Sequence, residues 1–386
     1  MALTADRPLT PEQFRAHFPI FQDKAHLCSC SEGALSDRVI VAMSEFMTSW
    51  RVHGAPWHEW MDYVDIARQR FAALIHAEPQ DIAVVSCASE AAYHVASTLS
   101  YQERNGILTN DLEFPSVAHV WLAQAERGAK VDFVAHREGV ITAEDYIAGL
   151  RDDQALVSVP LVSYANGLRL PVREIADAAH AKGLRVFVDA YQGAGVMPAD
   201  VRELDCDYLA CGTLKYLLGA PGIAFLYVRP GLALPVDPPL TGWFARREPF
   251  AFNPRLLDYA EDARRFQTGT PAIPAAFAGA AGLSLILETD PGQNLEHVLN
   301  LGDYLQEEFL SAGVALFSPR EHSRRGPQVS VLAQDAEELG AFLAERGVLV
   351  SPRGHAIRIS LHYYNNLDDA RRVVEGVLEY RKGHAL

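Results

Sequence analysis

Tyr63, Ala67, Phe71, Leu74 and Ile75 recur at the spacing of one helical face, and at residue 82 this pattern gives way to a short apolar run. A helix feeding a strand is the prediction there. Further apolar runs at 106–109, 131–135, 155–159, 185–189, 207–211 and 223–228 read as strands. Helical periodicity occupies 116–127, 143–150 and 172–182, the last closed by Gly183. Strands that are apolar on both faces and separated by helices predict an α/β fold around a buried, mainly parallel seven-stranded sheet.

After residue 230 the rhythm changes. Pro, Gly, aromatic and Arg residues dominate 230–254 around PVDPPLTGWF, an ordered connecting region. Beyond Asp290-Pro291-Gly292 a long helical stretch runs to 312, followed by strands at 314–317, 329–332 and 356–361, a helix at 336–346 and a last helix. The expected organisation has three parts: a segment, 1–20, packing on the small domain; a large domain, 21–260; and an interdomain helix with a small α+β domain, 261–386.

Composition narrows the partners. The chain has 386 residues, 34 Lys+Arg against 49 Asp+Glu, and a formal net charge of −15. That excess of acid repels nucleic acid and anionic membrane surfaces, so a small molecule is the expected partner. The start MALTADRPLT lacks the cationic and apolar segments of a signal peptide, and no apolar run approaches the roughly 20 residues that span a bilayer. Five cysteines without a CxxC pair suit a reducing compartment, so a cytoplasmic protein is expected. His26, Cys28 and Cys30 could begin a metal cluster, but no second half follows and no metal is expected. No GxGxxG follows the first strand, which removes a nicotinamide cofactor.

Candidate chemistry sits at the ends of two strands. Asp189 closes the run 185–189 before the turn AYQGAG, and Lys215 follows 207–211 in Gly-Thr-Leu-Lys. Ligands of open α/β sheets bind beyond strand ends. Alone, such an Asp forms a turn or caps a helix, and such a Lys is a solvated charge. Together they read differently, because Leu214, Tyr216, Leu217 and Leu218 surround the lysine with apolar groups that favour a neutral, nucleophilic amine. An amine beside a carboxylate suits pyridoxal 5′-phosphate: the amine forms a Schiff base with the aldehyde, and the carboxylate keeps the ring nitrogen protonated. Its phosphate needs a helix N-terminus, and the strand-to-helix passage 84–90 offers Ala88 and Ser89, though Ser89 alone reads equally as an ordinary N-cap. In Ile357-Arg358-Ile359-Ser360-Leu361-His362, alternation puts Arg358 on one strand face with Ser360 and His362, which by itself reads as a surface face.

Four motifs in order, VDAYQGAG, CGTLKYLLGAPGIAFLYV, RRFQTGTP and AIRISLHYYNN, resemble the class V branch of fold-type-I pyridoxal-phosphate enzymes. That branch holds cysteine desulfurases, kynureninases, isopenicillin-N-epimerase-like proteins and class V aminotransferases. LCSCSEGAL, HGAPW, EFPS and TGWF are most similar to kynureninase and its epimerase-like relatives. The resemblance implies the corresponding transferase fold, with Lys215 as the Schiff-base lysine and Asp189 as the pyridinium partner. It also implies cofactor contacts from Ala88, Ser89, Thr213, Gln192 at the phenolic oxygen and Phe114 on the ring. Trp243 and Thr270 would reach the phosphate of a neighbouring subunit, which makes the protein a homodimer with a shared active site. Arg358 would hold the carboxylate of an α-amino acid, with Tyr164 and Asn166 beside it.

The chain departs from two of these relatives. Desulfurases carry His at the positions of Phe114 and Leu214 and a catalytic Cys between the lysine and the substrate arginine, whereas Cys28, Cys30, Cys87, Cys206 and Cys211 all precede Lys215. Kynureninases carry Asp, His and Tyr at the positions of Val117, Gln192 and Leu214. Transamination through an external aldimine, with Lys215 deprotonating Cα, is therefore the first expectation. Its alternatives are β-lyase chemistry of kynureninase or cysteine-lyase type, epimerization, and, from another class, a non-catalytic binding protein on the same fold.

Overall fold

The apolar runs become strands. The computed structural model describes residues 7–383. Its first eight strands are β1 (Ala25–His26), β2 (Ile82–Val85), β3 (Gly106–Asn110), β4 (Lys130–Val134), β5 (Gln154–Pro160), β6 (Arg185–Asp189), β7 (Tyr208–Gly212) and β8 (Ala224–Val228). Strands β2 to β8 form one seven-stranded sheet in the order β2-β8-β7-β6-β5-β3-β4. Neighbours among β3 to β7 run parallel, whereas β8 is antiparallel to both β7 and β2. Residues 213–223 between β7 and β8 contain no helix, and a parallel return needs a crossover of about a dozen residues or more. The segment bearing Lys215 is thus a tight reversal.

Register brings several chain ends to one edge of this sheet. Asp189 is the Cα partner of both Pro160 and Ala210, Gly212 that of Ala224, and Ala224 that of Val85. The last residues of β2, β5, β6 and β7 therefore line up, and the segments leaving them emerge side by side. The helix Ile273–Leu287 packs beneath this region against the helices Asp37–His53 and Trp57–Leu74, and it is apolar around its circumference, as a helix buried on all sides must be. Gly282 lets it approach: a Cβ there would collide with the Leu217 carbonyl, two residues beyond Lys215.

The remaining strands are β9 (Gln328–Leu332), β10 (Val348–Leu349), β11 (Ser351–Arg353) and β12 (Ala356–Ser360). They make an antiparallel sheet in the order β11-β12-β9, while β10 pairs in parallel with β1 from the far end of the chain. The strand expected at 314–317 is corrected to a single bridge between Leu316 and Val331, because the chain turns at Ser318, whose hydroxyl donates to the Asn166 carbonyl at 2.5 Å. Phe14 stacks on His362 with ring centroids 5.6 Å apart, and Arg15 forms a bidentate pair with Asp369 at 2.6 and 3.1 Å. Residues 1–6 of the N-terminal segment anticipated above lie outside the described residues. Among the described residues no helix is long and apolar enough to cross a membrane.

Two histidines buried where the chain's ends meet make stability depend on pH. His26 is 6% and His362 0% exposed, and burial pushes each pKa down from 6.5 to about 4. The Tyr363 N–H donates to His362 Nδ1 at 2.8 Å, which leaves Nε2–H to donate to the Tyr216 carbonyl at 3.0 Å. A histidine with a depressed folded pKa binds its proton more readily in the unfolded chain. Its contribution is therefore whole above pH 6.5 and lost as the pH falls toward 4. Each shift corresponds to on the order of 3 kcal/mol. The melting temperature should fall steeply over that interval, and His362→Gln should flatten the fall; an equally steep fall in the variant would show that His362 is not its source.

Candidate active site

Lys215 is held by backbone on three sides. The Leu218 N–H donates to the Lys215 carbonyl at 3.2 Å, the Gly219 N–H to the Thr213 carbonyl at 2.9 Å, and the Gly33 N–H to the Leu214 carbonyl at 2.8 Å. Leu218 closes this turn in the left-handed region, φ +58°, a strained conformation for a leucine that its burial at 2% exposure maintains. The amine projects between two aromatic faces, 4.4 Å from the Tyr191 ring centroid and 5.1 Å from that of Phe114. Burial lowers its pKa, and the Asp189 carboxylate opposes that shift without reversing it.

Asp189 is 6% exposed, and its Oδ1 accepts from the Tyr191 N–H at 2.9 Å. Burial raises its pKa, against the opposing effects of that hydrogen bond and of Lys215. A second buried carboxyl, Glu113, stands behind it, accepting from the Phe114 N–H at 2.9 Å and the Ser158 hydroxyl at 3.0 Å. Burial, and then the charge of Asp189, push Glu113 well above the usual carboxylate range. Two carboxyls this close do not share full ionisation easily, so a proton is available on the inner side of Asp189.

These groups open into a cavity of about 340 Å³ lined by Lys215, Asp189, Gln192, Phe114, Ala88, Ser89 and Arg358, together with Tyr191, Ser31, Cys30 and Cys87. A larger hollow of about 620 Å³ lies near the start of the helix Val172–Ala181 and contains none of them, so the chemistry belongs to the smaller one. Its walls fit pyridoxal phosphate. Gln192 is 5% exposed and its Nε2 donates to the Cys30 carbonyl at 3.1 Å, but its Oε1 has no partner, so the cavity awaits a polar ligand. The helix Ala88–Thr98 starts without a side-chain cap, leaving first-turn N–H groups for a phosphate. Phe114 and Tyr191 provide aromatic faces for a flat ring.

Arg358 completes the cavity. It is 1% exposed, and its partners are all neutral oxygens: the Tyr164 carbonyl at 3.1 Å, the Ser31 hydroxyl at 3.2 Å and the Ser351 carbonyl at 3.5 Å. A buried guanidinium with no carboxylate beside it can accept an anion that arrives from solution. The face it shares with Ser360 and His362 is interior, since both of those residues are 0% exposed. Tyr164 meets the site through its carbonyl and packs its ring edge-on against Phe114 at 5.2 Å.

Four of the anticipated residues lie elsewhere. The Asn166 side chain is engaged by its surroundings: its Nδ2 donates to the Gly139 carbonyl at 2.7 Å and its Oδ1 accepts from the Leu168 N–H at 3.1 Å. The Thr213 hydroxyl is likewise taken, donating to the Ala220 carbonyl at 2.7 Å within the lysine turn. Trp243 sits in an aromatic cluster with Trp57, Phe244, Phe250 and Phe252, and Thr270 is exposed outside the cavity. Conversely, the cavity also takes in Ser31, Tyr191, Cys30, Cys87 and Arg353, beyond the residues the sequence singles out. Tyr191 was within reach of the sequence, since it is the second residue after Asp189 in the same turn; Ser31 and Cys30 depend on the contact of the segment after β1 with β12, which no local pattern announces.

The uncompensated charge of Arg358 predicts a divergence of stability and binding. Arg358→Met removes a buried cation without opening a void, so the denaturation midpoint should stay level or rise, by up to about 1–3 kcal/mol of stability, while carboxylate binding is lost. A loss of several kcal/mol would instead make Arg358 a structural strut.

Comparison with known proteins places this geometry in a family. The family model for aminotransferase class-V matches residues 32–373. The "Uncharacterized aminotransferase YcbU" of Bacillus subtilis (strain 168) is 36% identical over 367 residues, covering 95% of this chain and 97% of its own. A kynureninase of Deinococcus radiodurans is 30% identical over 369 residues, covering 90% of this chain and 87% of its own. Among solved structures, the apo form of a cysteine desulfurase from Thermococcus onnurineus NA1 has the same fold, with a TM-score of 0.88 and 24% identity over 99% of this chain and 100% of that one. The chain belongs to the class-V aminotransferase family, whose members are pyridoxal-phosphate enzymes.

Proposed function

We propose that this protein transfers the amino group of a small α-amino acid, and that the observation carrying the reading is the sharing of one cavity by the Lys215–Asp189 pair and the uncompensated Arg358. When bound, pyridoxal phosphate supplies a protonated aromatic ring that takes up the electron pair left on Cα as a bond there breaks. The chain's own residues do the rest. Asp189, fixed by the Tyr191 N–H, holds the proton on the ring nitrogen, and Phe114 covers a ring face. Ala88 and Ser89 would hold the phosphate at the uncapped helix start, and the free Oε1 of Gln192 would accept from the phenolic hydroxyl. Arg358 and Ser31 grip the substrate carboxylate and so fix where Cα lies relative to Lys215. Lys215 is the anchoring amine and then the base: its lowered pKa keeps a share of the amine neutral, ready to take the Cα proton and return it to another carbon.

In this reading residues 21–260 hold the cofactor, 261–386 bring the substrate arginine, and the enzyme works in the cytoplasm. It is a homodimer: Trp243 and Thr270, outside their own cavity, face the phosphate held by a second copy. The exposed Ile40, Val41, Met47 and Trp50 of the helix Asp37–His53 supply apolar surface for that copy to cover. A second reading, β-lyase chemistry, is favoured by the presence of Cys30 and Cys87 in the cavity wall, where a thiol can give its proton to a group that leaves Cβ with the bonding electron pair.

The purified protein should show a visible absorption band that borohydride bleaches, and Lys215→Ala should lack it or hold the aldehyde loosely. Turnover should require a keto acid. Release of pyruvate, alanine or sulfide from one amino acid alone would instead select the lyase reading, and a protein that takes up no cofactor would end both. Light scattering should report a dimer, and Trp243→Ala should lower cofactor affinity about tenfold, the loss of one good contact; a monomer that binds cofactor fully would remove the shared site.

A further inference from the structure

The cavity carries more positive charge than one α-carboxylate calls for. Its charged lining consists of Lys215, Arg353 and Arg358 against Asp189, on a chain whose net charge is −15. The Arg353 side chain makes no hydrogen bond or ion pair among the described residues. Other arginines of the same region are paired, Arg346 with Glu379 and Arg371 with Asp368. Arg353 differs from Arg346 and Arg371 in lining the cavity and in having no acidic partner among the described residues.

Its position is set by the hairpin of β11 and β12. The two-residue loop Gly354-His355, with Gly354 at φ +57°, joins the strands. Register makes Ser351 the partner of Arg358 and Arg353 the partner of Ala356. Directly opposed residues share a sheet face, as do residues two apart on one strand, so Arg353 and Arg358 rise from the same face as diagonal neighbours. Diagonal neighbours start roughly 7–8 Å apart, and two long side chains from such positions can grip the two ends of one small diacid. Arg358 is buried and rigidly bonded, whereas Arg353 is exposed at the rim and free to swing.

We infer that Arg353 is a specificity-determining residue that receives a second anionic group on the substrate side chain, so that the substrate is an acidic α-amino acid. The inference rests on Arg358 holding the α-carboxylate, as in the function proposed above. A carboxylate of an aspartate- or glutamate-sized substrate and the sulfinate of cysteine sulfinate share the required chemistry, an anion two or three bonds beyond Cα. A side-chain amide of the same shape offers the guanidinium no charge.

Calorimetric titration tests this without turnover. Succinate and glutarate lack an amine and cannot react, and they should bind at least tenfold more tightly than butyrate and valerate, as a charge-assisted contact requires. Arg353→Gln should abolish that preference, Arg353→Lys should keep part of it, and Arg358→Gln should weaken diacid and monoacid alike. In the cofactor-loaded protein, spectral titration with aspartate, glutamate and cysteine sulfinate against asparagine and glutamine should show the same preference and identify which anion is taken. Equal affinity for diacids and monoacids, or a preference that survives in Arg353→Gln, would overturn the inference. A preference that depends on Arg353 in a protein that takes up no cofactor would uphold Arg353 and sink the catalytic reading instead.

Discussion

Arg358 has to stay charged, buried and unpaired by any carboxylate, and much of the chain is arranged around that requirement. An unpaired guanidinium in the interior is tolerable only where its N–H groups meet oxygens, and these come from distant segments: Ser31 near the start of the chain, Tyr164 after β5 and Ser351 on β11. The same strand continues the tie. Ser360 accepts from the Cys30 N–H at 2.9 Å, and His362 donates to the Tyr216 carbonyl, one residue past Lys215. Arg358 and Lys215 are thus linked through neutral hydrogen bonds and stacked rings, with no ion pair between them.

The lysine side obeys a comparable rule. A reactive amine must be desolvated enough to lose its proton and still be reached by substrate. Gly33, the left-handed Leu218 and the small-residue approach of the helix Ile273–Leu287 at Gly282 compress the turn from three directions, while Phe114 and Tyr191 leave the amine open at its tip. Asp189 and Glu113 place negative charge and an available proton beneath it. Burial explains the direction of all three pKa shifts, and the register of β6 against β7 explains why these groups lie together.

Much of this was legible from the residues. Local apolar runs predict every strand of the large sheet, because a buried strand carries its own signature in a few consecutive side chains. Asp189 and Lys215 could be paired before any geometry because both follow such runs directly. Legibility ended where long-range contacts decide. The residues 314–317 look like a strand but turn toward Asn166, whose amide serves the loop it sits in, and nothing in either segment names the other. β11 is too short to show a period, so the face occupied by Arg353 emerges only from its pairing with β12. Cys30 and Cys87 precede the lysine by far in the chain, yet both line the cavity, since order along the chain says little about which segments meet at a sheet edge.

The pairings also impose an order of assembly. Ile82 of β2 finds Tyr227 of β8, and Ala25 of β1 waits for Val348 of β10, so both the edge of the large sheet and the small two-stranded sheet are closed by residues made long after their partners. Contacts of such sequence separation form late and bear a large loop-closure cost. On the ribosome, the lysine turn is complete while Arg358 is still unmade. A chain made only as far as β8 thus has the Lys215 turn without Arg358, and the cavity that both line exists only once β12 has been added.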